Sequence, residues 1–313
     1  KLGKEEKEWA HYQPFLEEHN YLLRPRYRPG CVSEVTLGSS PLECEEAIPA
    51  VGFEVLDATR VSDGAQVVLK VIRTTSTEAE IAAFLRSTPR AEQHTIPFRE
   101  LLPMYDDPER TFLVMPRMRQ CSLSPWFATV REFVEFVQQV LEGLVFLHSN
   151  NIAHRDICSM NIVMDSSRMI PGGFHFVNPS TSDGINHLRE STGDDSDPHL
   201  IRSRTHAGPI HYCYIDFGLS VRFPSVEARQ LVTGYFGRLR KRVPEISATV
   251  PYDAFKLDVR LVGEMLRSEF LLHYIGLDFL VPFVKKLRRH NPEQRPEAGE
   301  ALALFERLVS KMS

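Results

Sequence analysis

The chain has 313 residues, 42% hydrophobic and 25% charged, which suits one two-lobed globular domain or two small ones. Its 37 Lys and Arg against 41 Asp and Glu leave a formal charge of −4, so no basic field argues for nucleic acid or an anionic membrane as partner. No apolar run approaches the ~20 residues of a bilayer span, and the five scattered cysteines show neither zinc spacing nor a disulfide framework. The first ten residues, KLGKEEKEWA, are charged where a signal peptide is apolar. The expectation is an intracellular, cytoplasmic protein with no membrane partner.

Residues 1–45 read as an N-terminal extension. Within it, Trp9, Tyr12, Phe15 and Leu16 share one face of a helical stretch from Trp9 to His19, and the run RPRYRPG ends regular structure. Residues 46–118 read as sheet-rich. GFEVLDATR and QVVLKVI flank the turn signal Ser62-Asp63-Gly64 and predict a hairpin. TEAEIAAFL, Thr77 to Leu85, predicts a helix capped by Ser76 or Thr77, and TIPFREL and TFLVMPRM predict two further strands. Residues 119–313 read as mostly helical, beginning with an amphipathic helix over Val130 to Ser149. One stretch, 166–210, is rich in Ser, Asp, Gly, Pro and His and reads as a surface insertion, at least partly disordered. The order strand–strand–helix–strand–strand, then helices, predicts an α+β fold. It has a small antiparallel-sheet lobe with one helix and a larger, mostly helical lobe.

His154-Arg155-Asp156 follows the long helix, Asn161 comes five residues after Asp156, and Tyr214-Ile215-Asp216-Phe217-Gly218 closes the insertion. This ordered set resembles protein kinases of eukaryotic type. The resemblance implies a two-lobed kinase fold, ATP and Mg²⁺ as cofactors and a protein substrate. Asp156 resembles the base that accepts the proton of the attacking hydroxyl, and Asn161 and Asp216 resemble the Mg²⁺ ligands. Val67-Val68-Leu69-Lys70 resembles the strand whose lysine holds the α- and β-phosphates. Glu80 is expected to pair with Lys70, with Glu78 as the alternative. Adenine is expected among Val55, Val68 and Val163, facing a hinge of Met115-Pro116-Arg117-Met118.

Further residues extend the likeness. Val243-Pro244-Glu245 resembles the end of an activation segment, Arg295 the partner of its glutamate, and Asp258 the aspartate that holds the catalytic loop through backbone N–H groups. Arg155 and Thr233 suggest an anion site, and Arg238-Leu239-Arg240-Lys241-Arg242 a surface that favours acidic peptides. PFLEEHNYLLRPRYRPG and the insertion also resemble kinase-like proteins of mushroom-forming fungi. Two departures stand out. Ile48-Pro49-Ala50-Val51-Gly52-Phe53 falls where a glycine-rich loop is expected, and Cys158 stands where Ser/Thr kinases carry a lysine. The expected function is therefore a slow Ser/Thr protein kinase. A pseudokinase serving as a nucleotide- or protein-binding module is the second reading. A small-molecule kinase is the third, disfavoured by the Pro244-Glu245 motif, Asp258 and Arg295.

Overall fold

A computed structural model describes residues 2–29, 48–49, 52–88, 93–190 and 197–312. The chain divides into two compact units. The first comprises Lys1–Ser87, Pro97–Arg119 and Ser166–Gly208, and the second comprises Thr88–Ile96, Gln120–Asp165 and Pro209–Ser313. Among the described residues, no helix is long and apolar enough to cross a membrane.

In the first unit the elements run α1 (Lys4–Glu18), β1 (Tyr21–Leu23), β2 (Val55–Arg60), β3 (Gln66–Arg73), α2 (Thr77–Ser87), β4 (Glu100–Pro103) and β5 (Arg110–Pro116). The strands form one antiparallel sheet in the order β1-β2-β3-β5-β4. The predicted hairpin is β2–β3, in register from Val55↔Lys70 to Thr59↔Gln66. Its turn is tied by Asp63, which accepts from Ala65 N at 3.1 Å and pairs with Arg60.

Strand alternation sends Leu56, Ala58, Val67, Leu69, Phe112 and Val114 to one face of the sheet. There they form a core with Trp9, Tyr12 and Leu16 of α1, which recur at i, i+3 and i+7. Burying each large apolar side chain contributes about 1.5–3 kcal/mol. Residues 4–23 are therefore built into the sheet unit, supplying its first strand and the cover of one face. This differs from the expectation of a separate extension beside a lobe with one helix. The reason is that an apolar sheet face must be covered, and α1 carries the matching stripe.

The described residues of the insertion, expected to be at least partly disordered, make contacts of their own. Met169, Ile170, Phe174, His175, Thr181, Leu200, Ile201 and Arg204 are buried. Arg189–Glu190 and Leu200–Ile201 pair as short parallel strands, and His175 N donates to Thr181 O at 2.9 Å. The segment is fastened to the stretch after β5. Phe174 stacks under the guanidinium groups of Arg117 and Arg119, 4.9 and 5.3 Å from the ring centroid, and Arg119 donates to Pro179 O. Order here comes from these distant partners, which periodicity does not report. The stretch Ser191 to Ser196 lies outside the described residues.

In the second unit, α3 (Val130–Ser149) begins with a capping box. Thr129 Oγ1 accepts from Glu132 N at 3.2 Å while Glu132 accepts from Thr129 N. Gly143 lets α3 approach Tyr214 closely, since a Cβ there would stand 2.9 Å from that ring. Two short antiparallel pairs, Ile162–Met164 with Tyr212–Tyr214 and Ile152–Ala153 with Val221–Arg222, carry the loops of interest. The helix Ala254–Met265 is buried nearly all round, as an interior helix must be. Glu245, half-buried, and Arg295, buried, form the expected ion pair, and Arg260, 3.9 Å from Glu245, links it to Glu264 (3.3 Å), which Arg288 also meets (3.0 Å).

Candidate active site

Within the first unit, the register places Val55, Val68, Lys70 and Met115 on the sheet face opposite α1, because Val55 lies across from Lys70 and Val68 across from Met115. Val68 and Met115 are buried, while Val55 and Met118 are half-buried. Lys70 Nζ bonds Glu78 Oε1 at 2.7 Å. This corrects the expected Lys70–Glu80 pairing. Ser76 caps α2, its Oγ accepting from Ala79 N at 3.2 Å, so Glu78 sits in the first turn and points at β3. Two residues further on, about 200° round the helix, Glu80 is exposed.

The same sheet face bears a buried polar cluster. Asp57 lies 3.2 Å from Arg24 Nε and 3.8 Å from Arg117 Nη1. Arg24 Nη1 stands 3.3 Å from His175 Nε2 of the insertion. Burial, and then the positive charges of Arg24 and Arg117, lower the His175 pKa, with Asp57 opposing. Arg117 N donates to Gln66 O at 3.0 Å, and Pro116 has no N–H. Of the Ile48–Phe53 stretch, where a glycine-rich loop was expected, Ala50 and Val51 lie outside the described residues.

Within the second unit, the two loops expected to carry the chemistry are bound to each other. Ile215 N donates to Asn161 O at 3.0 Å, and Ser220 Oγ donates to His154 O at 3.0 Å. His154 is fully buried 5.1 Å from the Phe217 ring. Its Nδ1 accepts from Asp156 N at 3.3 Å, which leaves Nε2–H to donate to Ile215 O at 2.9 Å. Asp258, with no exposed surface, holds the loop from beneath. Its Oδ2 accepts from His154 N and its Oδ1 from Arg155 N, both at 2.7 Å. That grip sustains the left-handed φ of +68° at Arg155.

Asp156 and Asn161 are brought together. Asn161 Nδ2 donates to Asp156 O at 2.8 Å and to Asp156 Oδ2 at 3.0 Å. The bond fixes the amide, so Asn161 Oδ1 is the acceptor that remains for a cation. Asp216 is also left-handed, at φ 65° and ψ 74°. Burial raises the Asp156 carboxyl above its ordinary range. The Arg238 N–H, His154 and the Asn161 amide lower it, and the charge of Asp216 adds to the rise. Val163 is buried and pairs with Cys213.

Arg155 is occupied by the segment it was expected to hold for an anion. Its guanidinium donates to Leu219 O (3.2 Å), Thr233 O (2.9 Å) and Tyr252 Oη (2.8 Å). Downstream, Gly237 at φ +85° presses on the Asp156 loop, and Arg238 N donates to Asp156 Oδ1 at 2.8 Å. Sequence reasoning placed Arg238 only in a basic run. The signal for more was the glycine before it, which permits a close backbone approach. Among the described residues, no three or more His, Cys, Asp and Glu side chains gather to hold a metal alone. Mg²⁺ needs no such cage, since one or two protein oxygens and substrate phosphates suffice.

The family model for the protein kinase domain matches residues 52–171. That stretch contains Lys70, Glu78, Asp156 and Asn161, while Asp216, Glu245, Asp258 and Arg295 lie beyond it. No curated protein matches the chain.

Proposed function

We propose that the chain is an ATP-dependent protein kinase that transfers the γ-phosphate to Ser or Thr of protein substrates. The observation that carries this reading is the joined pair Asp156 and Asn161, held from below by Asp258 and bonded through Asn161 O to the segment of Asp216. Phosphoryl transfer asks for a carboxylate beside the attacking hydroxyl and hard oxygen donors for the metal, and these side chains supply that set. In this reading Asp156 accepts the hydroxyl proton, and Asn161 Oδ1 and the Asp216 carboxylate hold Mg²⁺. Bound Mg²⁺ neutralises phosphate oxygens as charge builds on them. Lys70, oriented by Glu78, holds the α- and β-phosphates. Val55, Val68 and Met115 contact the adenine, a part the resemblance gives to Val163 as well, and the backbone around Met118 receives it, because Pro116 and Arg117 offer no free N–H. The reading also extends the likeness to the fungal kinase-like group over the N-terminal segment and the insertion.

A second reading, a pseudokinase that binds nucleotide without turnover, is favoured by one observation. Ile157, Cys158, Ser159 and Met160, between Asp156 and Asn161, include no cation, and Cys158 is buried. The test is transfer of label from Mg-[γ-³²P]ATP to the chain itself and to Ser/Thr peptides, run beside a thermal shift with Mg-ATP. Transfer by wild type and none by Asp156→Ala supports the kinase. A raised melting midpoint without transfer leaves the pseudokinase, and neither signal defeats both.

A further inference from the structure

The transferred group carries negative charge that shifts in the transition state, and a donor placed where that charge develops lowers the barrier most. The loop between Asp156 and Asn161 offers no cation. Arg155, its neighbour, is committed to Leu219, Thr233 and Tyr252. Arg240 donates to Gly237 O at 2.9 Å and lies 5.9 Å from the Tyr235 ring. Arg238 differs from both. Its backbone N is 2.8 Å from Asp156 Oδ1, its side chain is exposed, and among the described residues its guanidinium makes no hydrogen bond or ion pair.

The backbone around it is built for this approach. At Gly237 the φ is +85°, and a Cβ would stand 2.9 Å from Asp156 Oδ1 and 3.3 Å from the Arg155 carbonyl oxygen. Only glycine therefore lets the chain come this near. The bond to Arg238 N then fixes the root of an arginine side chain beside the carboxylate. A guanidinium presents a planar fork of donors matched to phosphate oxygens, and it stays charged at every working pH.

We infer that Arg238 is a catalytic residue that donates to the transferring phosphoryl group, supplying from the activation segment the positive charge that the 157–160 stretch lacks. The inference rests on the kinase reading. In the step, the substrate hydroxyl oxygen bonds the γ-phosphorus as the bond from that phosphorus to the β,γ-bridging oxygen breaks. ADP leaves with that electron pair, and the hydroxyl proton passes to Asp156. Arg238 exchanges no atom and only holds the equatorial oxygens of the moving group.

The experiment compares full-length wild type, Arg238→Ala and Arg238→Lys with Mg-[γ-³²P]ATP and a Ser/Thr peptide pool, with and without free guanidinium ion. Mg-ATP affinity and melting midpoint are measured on each. Arg238→Ala should lower kcat by about 10²–10³ and leave Mg-ATP affinity and melting midpoint near wild type. Arg238→Lys should retain part of the rate, and free guanidinium should restore part of it to Arg238→Ala alone. A wild-type kcat in Arg238→Ala overturns the inference. So does an unchanged kcat with raised peptide KM, which makes Arg238 a substrate-docking residue. A loss shared by Arg238→Lys, deaf to guanidinium and joined to a lower melting midpoint makes the contact structural and overturns it too. Absence of transfer by wild type defeats the kinase reading and this inference with it, a result distinct from the other three.

Discussion

Replacing Asp258 by alanine should loosen the loop of His154, Arg155 and Asp156 while the rest of the second unit stays folded. The carboxylate is fully buried and accepts two backbone hydrogen bonds of 2.7 Å, from His154 and Arg155, with His148 Nε2 at 3.1 Å. A hydrogen bond to a charged acceptor is worth about 1.5–3 kcal/mol. Alanine removes both acceptors at once, so the expected cost is about 3–6 kcal/mol in urea unfolding. Asparagine keeps one acceptor oxygen and should cost about half as much. The local readout is hydrogen exchange of the His154 and Arg155 amides by mass spectrometry, which should accelerate at least tenfold in Asp258→Ala. An alanine variant within about 1 kcal/mol of wild type, with unchanged exchange at these two amides, would refute the claim that this carboxylate holds the loop.

Glu78→Gln should destabilise the first unit by about 1–3 kcal/mol through the lost bond to Lys70, whereas Glu80→Gln, which leaves that bond in place, should cost less. Thermal unfolding decides, and the reverse order would restore Glu80 as the partner. Gly237→Ala meets both a left-handed φ and the Asp156 carboxylate. It should displace the segment, seen as loss of protection at the Arg238 amide, and unchanged protection would contradict the close approach. Burial pushes the Cys213 thiol up to about 12 from 9.0. A raised pKa moves thiolate formation to higher pH, so at pH 8 its thiolate should be about a thousandfold scarcer than for an ordinary cysteine. Iodoacetamide should leave Cys213 unmodified in the native chain and label it in urea, and equal labelling in both would count against its burial. Limited proteolysis should spare residues 197–208, and rapid cutting there would contradict the buried Leu200, Ile201 and Arg204.

Much of the framework was legible because it depends on local pattern. The β2–β3 hairpin follows from alternation and Ser62-Asp63-Gly64, and α3 follows from 20 residues of amphipathic spacing, with the predicted ends matched at Val130 and Ser149. The ion pair Glu245–Arg295 and the grip of Asp258 followed from motif order. What escaped depends on direction and on distant partners. Choosing Glu78 over Glu80 requires knowing which side of α2 meets β3, a difference of half a helical turn. The order of the insertion rests on Arg117, Arg119 and Arg24, which stand 55 residues or more away in sequence from the residues they meet. The approach of Arg238 to Asp156 lies in irregular chain, where no periodicity points anywhere.

The fastening of the insertion has a consequence for the order in which the molecule can be made. A ribosome finishes β5 long before it reaches Phe174, His175 and Pro179, and in between it produces α3 and the loop of Asp156. Until those later residues emerge, Arg24, Arg117 and Arg119 lack the ring, imidazole and carbonyl that meet them in the finished protein. The first unit thus cannot reach its final form as a nascent N-terminal fragment. It must be closed by residues that arrive after about a third of the second unit, a long-range closure of the slow kind. Chains truncated before residue 166 should accordingly carry an incomplete first unit, however intact their five strands.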